Sequence, residues 1–371
     1  MPLKSIRVLD LTRLLPGPYC TMLLADFGAE VTKVEQPGLG DYARFIGPKS
    51  SGGSSAFFNS LNRNKQSVTL DLKTKSGKEA LLKLVDETDV LIESFRPGVM
   101  EKLGLDYDTL KKRRPELIYC AITGYGQTGP YKDLPGHDLN YLSYAGLLDL
   151  MGPRDGDPVV PGTTIADIAG GALPATVGIL MGLIHRQKTG EGQYVDISMM
   201  DGVISLLQTV LPDYLTSGNL PKRGSQLLDG GYANYNIYQT KDERYLAVGA
   251  VEEKFWVNFC TTIDRTDLIP LLNAPLHKQH QLKADIQKVI MTKSLAEWVD
   301  AFSNIEACVS PVNTLEEMVN DPQVIAREMI ETIFDEQLGE LQQIGIPIKL
   351  SKTPGEIRSL APQLNKNQTI K

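Results

Sequence analysis

His137 lies in the hexapeptide Gly136-His137-Asp138-Leu139-Asn140-Tyr141, just after a loop and just before a helical pattern. An imidazole changes charge between about pH 5 and 8, so at this position it can act as a general acid or base, or stand as a structural residue. Asp167 precedes Ile168-Ala169-Gly170-Gly171 and a long apolar helix. Its plain role is a helix N-cap, worth about 1 kcal/mol. Its chemical role is a carboxylate beside small residues that let a substrate approach, with helix N–H groups aimed at a developing negative charge. The two roles are compatible. Glu252 and Glu253 end an apolar run at 248–251, where exposed strand-end acids are common. His185, His277 and His280 have no partners at ligand-like spacing, and no metal site is expected.

Basic residues gather in the first hundred positions: Arg44, Arg63, Lys65, Lys73, Arg96 and Lys102. Scattered lysines there are ordinary surface. Arg96, in Phe95-Arg96-Pro97-Gly98, is less ordinary, because it follows a strand where α/β proteins bind ligands. The formal net charge of −7 argues against a nucleic-acid partner, though not against a local basic pocket for a phosphorylated ligand. Cys20, Cys120, Cys260 and Cys308 are far apart, which excludes a C-x-x-C metal site and a disulfide framework and fits a reducing, cytoplasmic setting. The chain opens on a strand-like run at 6–11 rather than a signal core. Its longest uncharged apolar stretch, 168–184, falls short of the roughly 20 residues that span a bilayer. With four glycines and Pro174 in it, that stretch reads as a tightly packed buried helix, and no membrane partner is expected.

The elements that must position these residues alternate in the first two hundred positions, as in βαβ units around a parallel sheet. Strands are expected at 6–11, 30–34, 67–72, 90–95, 117–122 and 194–198. Helices are expected at 19–27, 75–87, 139–150 and 168–186, with Ser76 and Asp167 as N-caps. The first strand–turn–helix–strand passage mimics a dinucleotide-binding unit. However, G-x-G-x-x-G is absent, and Pro16 and Pro18 occupy the turn, so a nicotinamide cofactor is disfavoured. After about residue 202 the pattern changes. Turn signals flank strand-like runs at 235–239 and 245–251; helical stretches follow at 254–263, 281–291 and 295–302, then a strand at 307–312 and a helix at 315–320. The expected organisation is a large α/β domain beginning with 1–200, a small domain at 225–305, and a segment, 306–371, that rejoins the large one. The last dozen residues are polar and read as frayed.

Taken together, LPGP (15–18), LADFGAEVTKVE (24–35), NRNK (62–65), LDLK (70–73), FRPG (95–98), TGYGQTGP (123–130), GHDLNY (136–141), RQKTGEGQYVD (186–196) and ACVSPV (307–312) resemble the family III coenzyme A-transferase superfamily. The resemblance runs from residue 6 to about 320, and that superfamily includes α-methylacyl-CoA racemases. GHDLNY, LDGGYANYNIY (228–238) and GAVEEKFW (249–256) resemble the racemase versions of their segments. Gln36, where racemases often carry arginine, and the insertion at 47–59 depart from them. The resemblance implies a Rossmann-like large domain with a parallel sheet, a smaller α+β domain, and an interlocked homodimer. It implies α-proton exchange in 2-methylacyl-CoA thioesters, with His137 and Asp167 as the acid/base pair and Glu252 orienting the imidazole. The alternative it leaves open is transfer of coenzyme A between carboxylic acids with Asp167 as nucleophile. Coenzyme A enters as part of the acyl-CoA substrate, and no metal or redox cofactor is required. Its site is implied at Arg44, Leu70, Asp71, Leu72, Lys73, Ser94, Arg96, Lys102, Gly136, Asp138, Leu139, Asn140 and Tyr141.

Overall fold

The runs Val90–Glu93 and Ile118–Thr123 leave no residue exposed. Strands covered on both faces belong inside a parallel sheet flanked by helices, and the computed structural model places them there. It describes residues 1–49, 53–335 and 339–365, which divide into two compact units. The first comprises 1–147, 161–207 and 322–371. Its strands are β1 (Arg7–Asp10), β2 (Glu30–Glu35), β3 (Lys65–Thr69), β4 (Val90–Glu93), β5 (Ile118–Thr123) and β6 (Tyr194–Ser198). They form one sheet in the order β3-β2-β1-β4-β5-β6, with every neighbouring pair parallel. The chain winds outward from β1 to β3, then crosses to β4. The order therefore reverses between β1 and β4, the point at which such sheets open a crevice beyond their strand ends.

The helices α1 (Pro16–Asp26), α2 (Ala56–Asn62), α3 (Lys75–Val85), α4 (Val99–Leu103), α5 (Tyr107–Arg113), α6 (Asp138–Tyr144), α7 (Leu147–Leu150), α8 (Leu173–Thr189) and α9 (Met199–Ser205) accompany this sheet. Several boundaries differ from expectation for physical reasons. α1 begins at Pro16, not residue 19, because prolines in a first turn forfeit no helical hydrogen bond. Gly17 in that turn is required by close approach: a Cβ there would meet the Thr12 side chain at 2.2 Å. α3 is capped by Thr74, whose hydroxyl accepts from Gly77 N–H at 3.0 Å, and not by Ser76. The expected helix at 139–150 breaks into α6 and α7 around Gly146, which holds φ +79.

The apolar helix differs most. It starts as a π-helical turn, Ala166–Ala172, that continues into α8. Asp167 is therefore inside the first turn rather than the cap, a place Ile165 takes. By length and apolar composition the 24-residue rod could cross a membrane, contrary to the shorter expected stretch. Nor is it buried all round in this chain: Leu173, Val177, Met181 and Ile184 form an exposed stripe. Gly170 and Gly171 in it admit a neighbouring helix, α9, rather than a substrate. A Cβ on Gly170 would meet Met199 O at 2.6 Å, and one on Gly202 would meet Gly170 O at 1.9 Å.

The second unit, 148–160 with 208–321, is broader than the expected 225–305. An antiparallel sheet joins β7 (Tyr235–Gln239), β8 (Tyr245–Gly249) and β9 (Val309–Pro311), and this pairing draws residues past 305 into the unit. Helices α10 (Leu211–Ser217), α11 (Glu253–Thr262), α12 (Leu276–Ile290), α13 (Leu295–Phe302) and α14 (Leu315–Val319) complete it. Trp256, Phe259, Trp298 and Phe302 pack in a chain of aromatic contacts with centroids 5.6–6.0 Å apart. The indole N–H groups of Trp256 and Trp298 donate to Leu268 O and Ile290 O. The small unit thus has a core of its own.

The chain then returns to the first unit through α15 (Pro322–Ala326) and the hairpin β10 (Ile330–Asp335) and β11 (Gly339–Ile344). The end of the chain is less free than its polarity suggests: Arg44 donates to Pro362 O, and Thr69 Oγ1 donates to Asn365 Oδ1. Residues 50–52 of the insertion at 47–59, and the tail beyond 365, lie outside the described residues.

Candidate active site

His137 is the exposed N-cap residue of α6, in extended backbone, and its N–H donates to Asn140 Oδ1 at 3.0 Å. The loop before it is pinned by Tyr141, whose hydroxyl donates to Gly136 O at 2.5 Å. Gly124 and Gly136 make room for that ring; a Cβ on either would approach it within 2.3 and 2.6 Å. Asp167, in the π-helical turn, donates its N–H to Asp138 Oδ1 at 3.0 Å. The Asp167 N–H is therefore engaged within the protein. Burial pushes the Asp167 carboxyl up to about 6, the Asp138 charge adds to the rise, and His137 opposes it. A group poised there can both give and take a proton near neutral pH.

His137 and Asp167 line one cavity of about 640 Å³, together with Ser94, Arg96, Gly136, Asn140 and Tyr141. A second cavity of about 430 Å³ is walled by Leu70, Asp71, Leu72 and Lys73, with Gln36 beside them. Both cavities include Arg13 and Phe95 in their walls, so they meet at the loops that follow β1 and β4. This is the crevice the strand order opens.

The remaining expected residues stand elsewhere. Arg44 pairs with Glu35 at 2.7 Å, donates to Pro362 O and lies 3.8 Å over the Phe58 ring, outside both linings. Lys102 is exposed on α4 and Leu139 on α6, and neither lines either of these two cavities. Asp138 acts on the site through Asp167 rather than as lining. Glu252 belongs to the second unit, exposed at the N-cap of α11, whereas both cavities are walled wholly by the first. Among the described residues no cluster of His, Cys, Asp and Glu could hold a metal ion.

Beneath the groove lies a buried charge network. Asp10 accepts from Lys65 at 3.2 Å, from Thr21 at 2.6 Å and from Thr12 at 2.5 Å. Lys33 pairs with Asp41 at 2.9 Å and donates to Thr12 O at 2.8 Å, while Asp41 Oδ1 accepts from Leu14 N–H at 3.1 Å. The loop at 12–14 is therefore held from below by charges, and Leu14 sits at φ +63. Burial alone would raise the Asp10 carboxyl, but the Lys33 and Lys65 charges hold it well below the ordinary range. Sequence reasoning passed over Arg13, although it follows β1 as Arg96 follows β4, and the same strand-end rule would have marked it.

A model of "CoA-transferase family III" matches residues 3–368. The chain belongs to CoA-transferase family III. A human alpha-methylacyl-CoA racemase is 38% identical over 321 residues, spanning 86% of this chain and 80% of its own length. A human succinyl-CoA:glutarate CoA-transferase is 33% identical over 356 residues, 95% of this chain and 81% of that one. A crystal structure of a CAIB/BAIF family protein from Brucella suis aligns with a TM-score of 0.86 at 32% identity, covering 98% and 97% of the two chains. The family III chain is accordingly an enzyme of the superfamily, and its relatives carry both racemase and transferase names. Its mixed α/β architecture with the six-stranded parallel sheet is the one the sequence pattern called for.

Proposed function

We propose that the chain racemises 2-methylacyl-CoA thioesters by proton exchange at the carbon next to the thioester carbonyl. The observation that carries this reading is that His137 and Asp167 line one cavity, the carboxyl raised to about 6. The thioester acidifies its α-carbon. One of the two groups takes the α-proton, leaving an enolate, and the other returns a proton to the opposite face. Each must hold or release a proton near neutral pH, and an isolated surface carboxylate of ordinary acidity does so poorly. Glu252, which the resemblance makes the carboxylate that orients the imidazole, is the third member of the proposed set. Coenzyme A enters as part of the substrate, along the walls formed by Leu70 to Lys73 and by Ser94, Arg96, Gly136, Asn140 and Tyr141, with the basic groups meeting its phosphates.

The working form is a cytoplasmic homodimer in this reading. The exposed apolar stripe on α8 supports the second copy, and four free cysteines support the reducing compartment. A second reading, coenzyme A transfer with Asp167 as covalent partner, is favoured by relatives named as succinyl-CoA transferases.

The deciding experiment incubates one enantiomer of a 2-methylacyl-CoA in D₂O and follows the α-proton by NMR. Racemisation exchanges it for deuterium and scrambles the centre. Transfer of coenzyme A to an added dicarboxylic acid with the α-proton retained would replace the first reading by the second.

A further inference from the structure

Arg13 differs from three cations beside the groove, and it shares with Arg96, Lys132 and Lys73 of the same cavity walls the want of an ion pair among the described residues. Lys33, Arg44 and Lys65 are each paired with a buried carboxylate. Arg13 makes no ion pair and no side-chain hydrogen bond among the described residues. Its backbone is tied in place, since its N–H donates to Ser94 Oγ at 3.4 Å. Its guanidinium lies 5.0 Å from the Phe95 ring centroid and 5.6 Å from that of Tyr42. A guanidinium seated on aromatic faces keeps its in-plane N–H donors free, and it remains charged at every working pH. It is half-buried, in the wall common to both cavities. A permanent, partly desolvated cation with unused donors is costly to leave without a counter-charge.

We infer that Arg13 is the anion anchor at the junction of the two cavities, binding paired oxygens of a phosphate or carboxylate on the ligand. The inference deepens the acyl-CoA reading and rests on it. Two parts of such a ligand carry that chemistry: a phosphate of the coenzyme, or a carboxylate at the acyl end. The planar fork suits either, because it presents two parallel donors.

Calorimetric titration of the full chain with coenzyme A, isobutyryl-CoA and methylmalonyl-CoA separates the sources, since the two thioesters differ by a methyl replaced with a carboxylate. Loss of a bidentate charge-assisted pair weakens binding on the order of 10- to 100-fold. Arg13→Gln raises all three Kd values by that factor if the partner is a phosphate. It raises only the methylmalonyl-CoA value if the partner is the acyl carboxylate. Arg13→Lys keeps the charge, recovers part of the loss, and carries the test should Arg13→Gln lower Tm. Wild-type binding of all three ligands with Kd unchanged in both variants overturns the anchor. A wild type that binds no coenzyme A overturns the acyl-CoA reading instead. The anchor is then judged on inorganic pyrophosphate and malonate, and it falls if neither Kd rises in Arg13→Gln.

Discussion

Two aspartates of the first unit show how burial alone fails to decide what a charge does. Asp10 lies beneath the groove and Asp167 beside it, and burial by itself raises both carboxyls. Around Asp10 stand Lys33 and Lys65, with hydroxyls from Thr12 and Thr21, and the net effect is a strong lowering. Around Asp167 stands another carboxylate, Asp138, and the net effect is a rise to about 6. The first environment answers every charge and so builds the loop at 12–14. The second leaves a carboxyl able to exchange its proton. One region supports the site and the other does its chemistry.

The comparison breaks most visibly by truncation. In the racemase reading, His137→Ala and Asp167→Ala each lower α-proton exchange by on the order of 10²- to 10⁴-fold while the chain stays folded and coenzyme binding stays close to wild type. Under transferase chemistry His137→Ala would retain turnover and only Asp167→Ala would abolish it. In the supporting region the outcome is reversed. Lys65→Met removes one of the two charges that answer Asp10 in the interior and costs about 3–5 kcal/mol of folding stability, read as a lowered urea midpoint. Any loss of activity there should track the loss of folded protein. A Lys65→Met protein that is fully stable yet inactive would mean that the network also contributes to the reaction.

Much of this arrangement was legible in the sequence, and the omissions have physical causes. The six strands of the sheet and the motif around His137 announce themselves through local composition, which a chain carries residue by residue. The π-helical turn at Ala166–Ala172 does not, since apart from Asp167 its residues are small or apolar and carry no pattern that separates a π-helical turn from an α-helical one. Arg44 was read as part of the coenzyme's site because its partners, Glu35 and Pro362, are brought to it only by the fold. Gly170 and Gly171 looked like room for substrate, yet what they admit is the backbone and side chain of Met199. Asp138 was read as part of the coenzyme's site, whereas its carboxylate faces the Asp167 amide. In each case the deciding neighbour is distant in sequence, and composition does not record it.

Asp138 gives a smaller and sharper test. Asp138→Asn keeps an oxygen to accept from the Asp167 N–H but removes the negative charge that helps raise the Asp167 carboxyl. Asp167 then ionises more readily. Where Asp167 acts as the base, the acid limb of the pH–rate profile, near 6 in the wild type, moves to lower pH. A limb that stays in place would assign the rise to burial alone.

The smallest effect concerns stability, and there the two aspartates should differ in sign. Asp167 titrates near 6 in the folded chain and near its ordinary value, 3.8, when unfolded. Between these values the folded state holds a proton that the unfolded state has released. The favourable contribution is therefore full below about pH 4 and is lost as pH rises through 6. At pH 7.5 the ionised carboxylate is a liability the site retains for its chemistry. Asp167→Asn should accordingly raise Tm by about 2–5 °C at pH 7.5, with the gain shrinking toward pH 4.5. Asp10 has the opposite linkage: its folded value lies below the unfolded one, so its contribution is present above the unfolded value and is lost only on acidification. Asp10→Asn should therefore lower Tm at pH 7.5. Calorimetry of the two variants at both pH values is the check. If Asp167→Asn destabilises the chain at pH 7.5, Asp167 belongs with the supporting charges and its raised carboxyl is no longer an argument for catalysis.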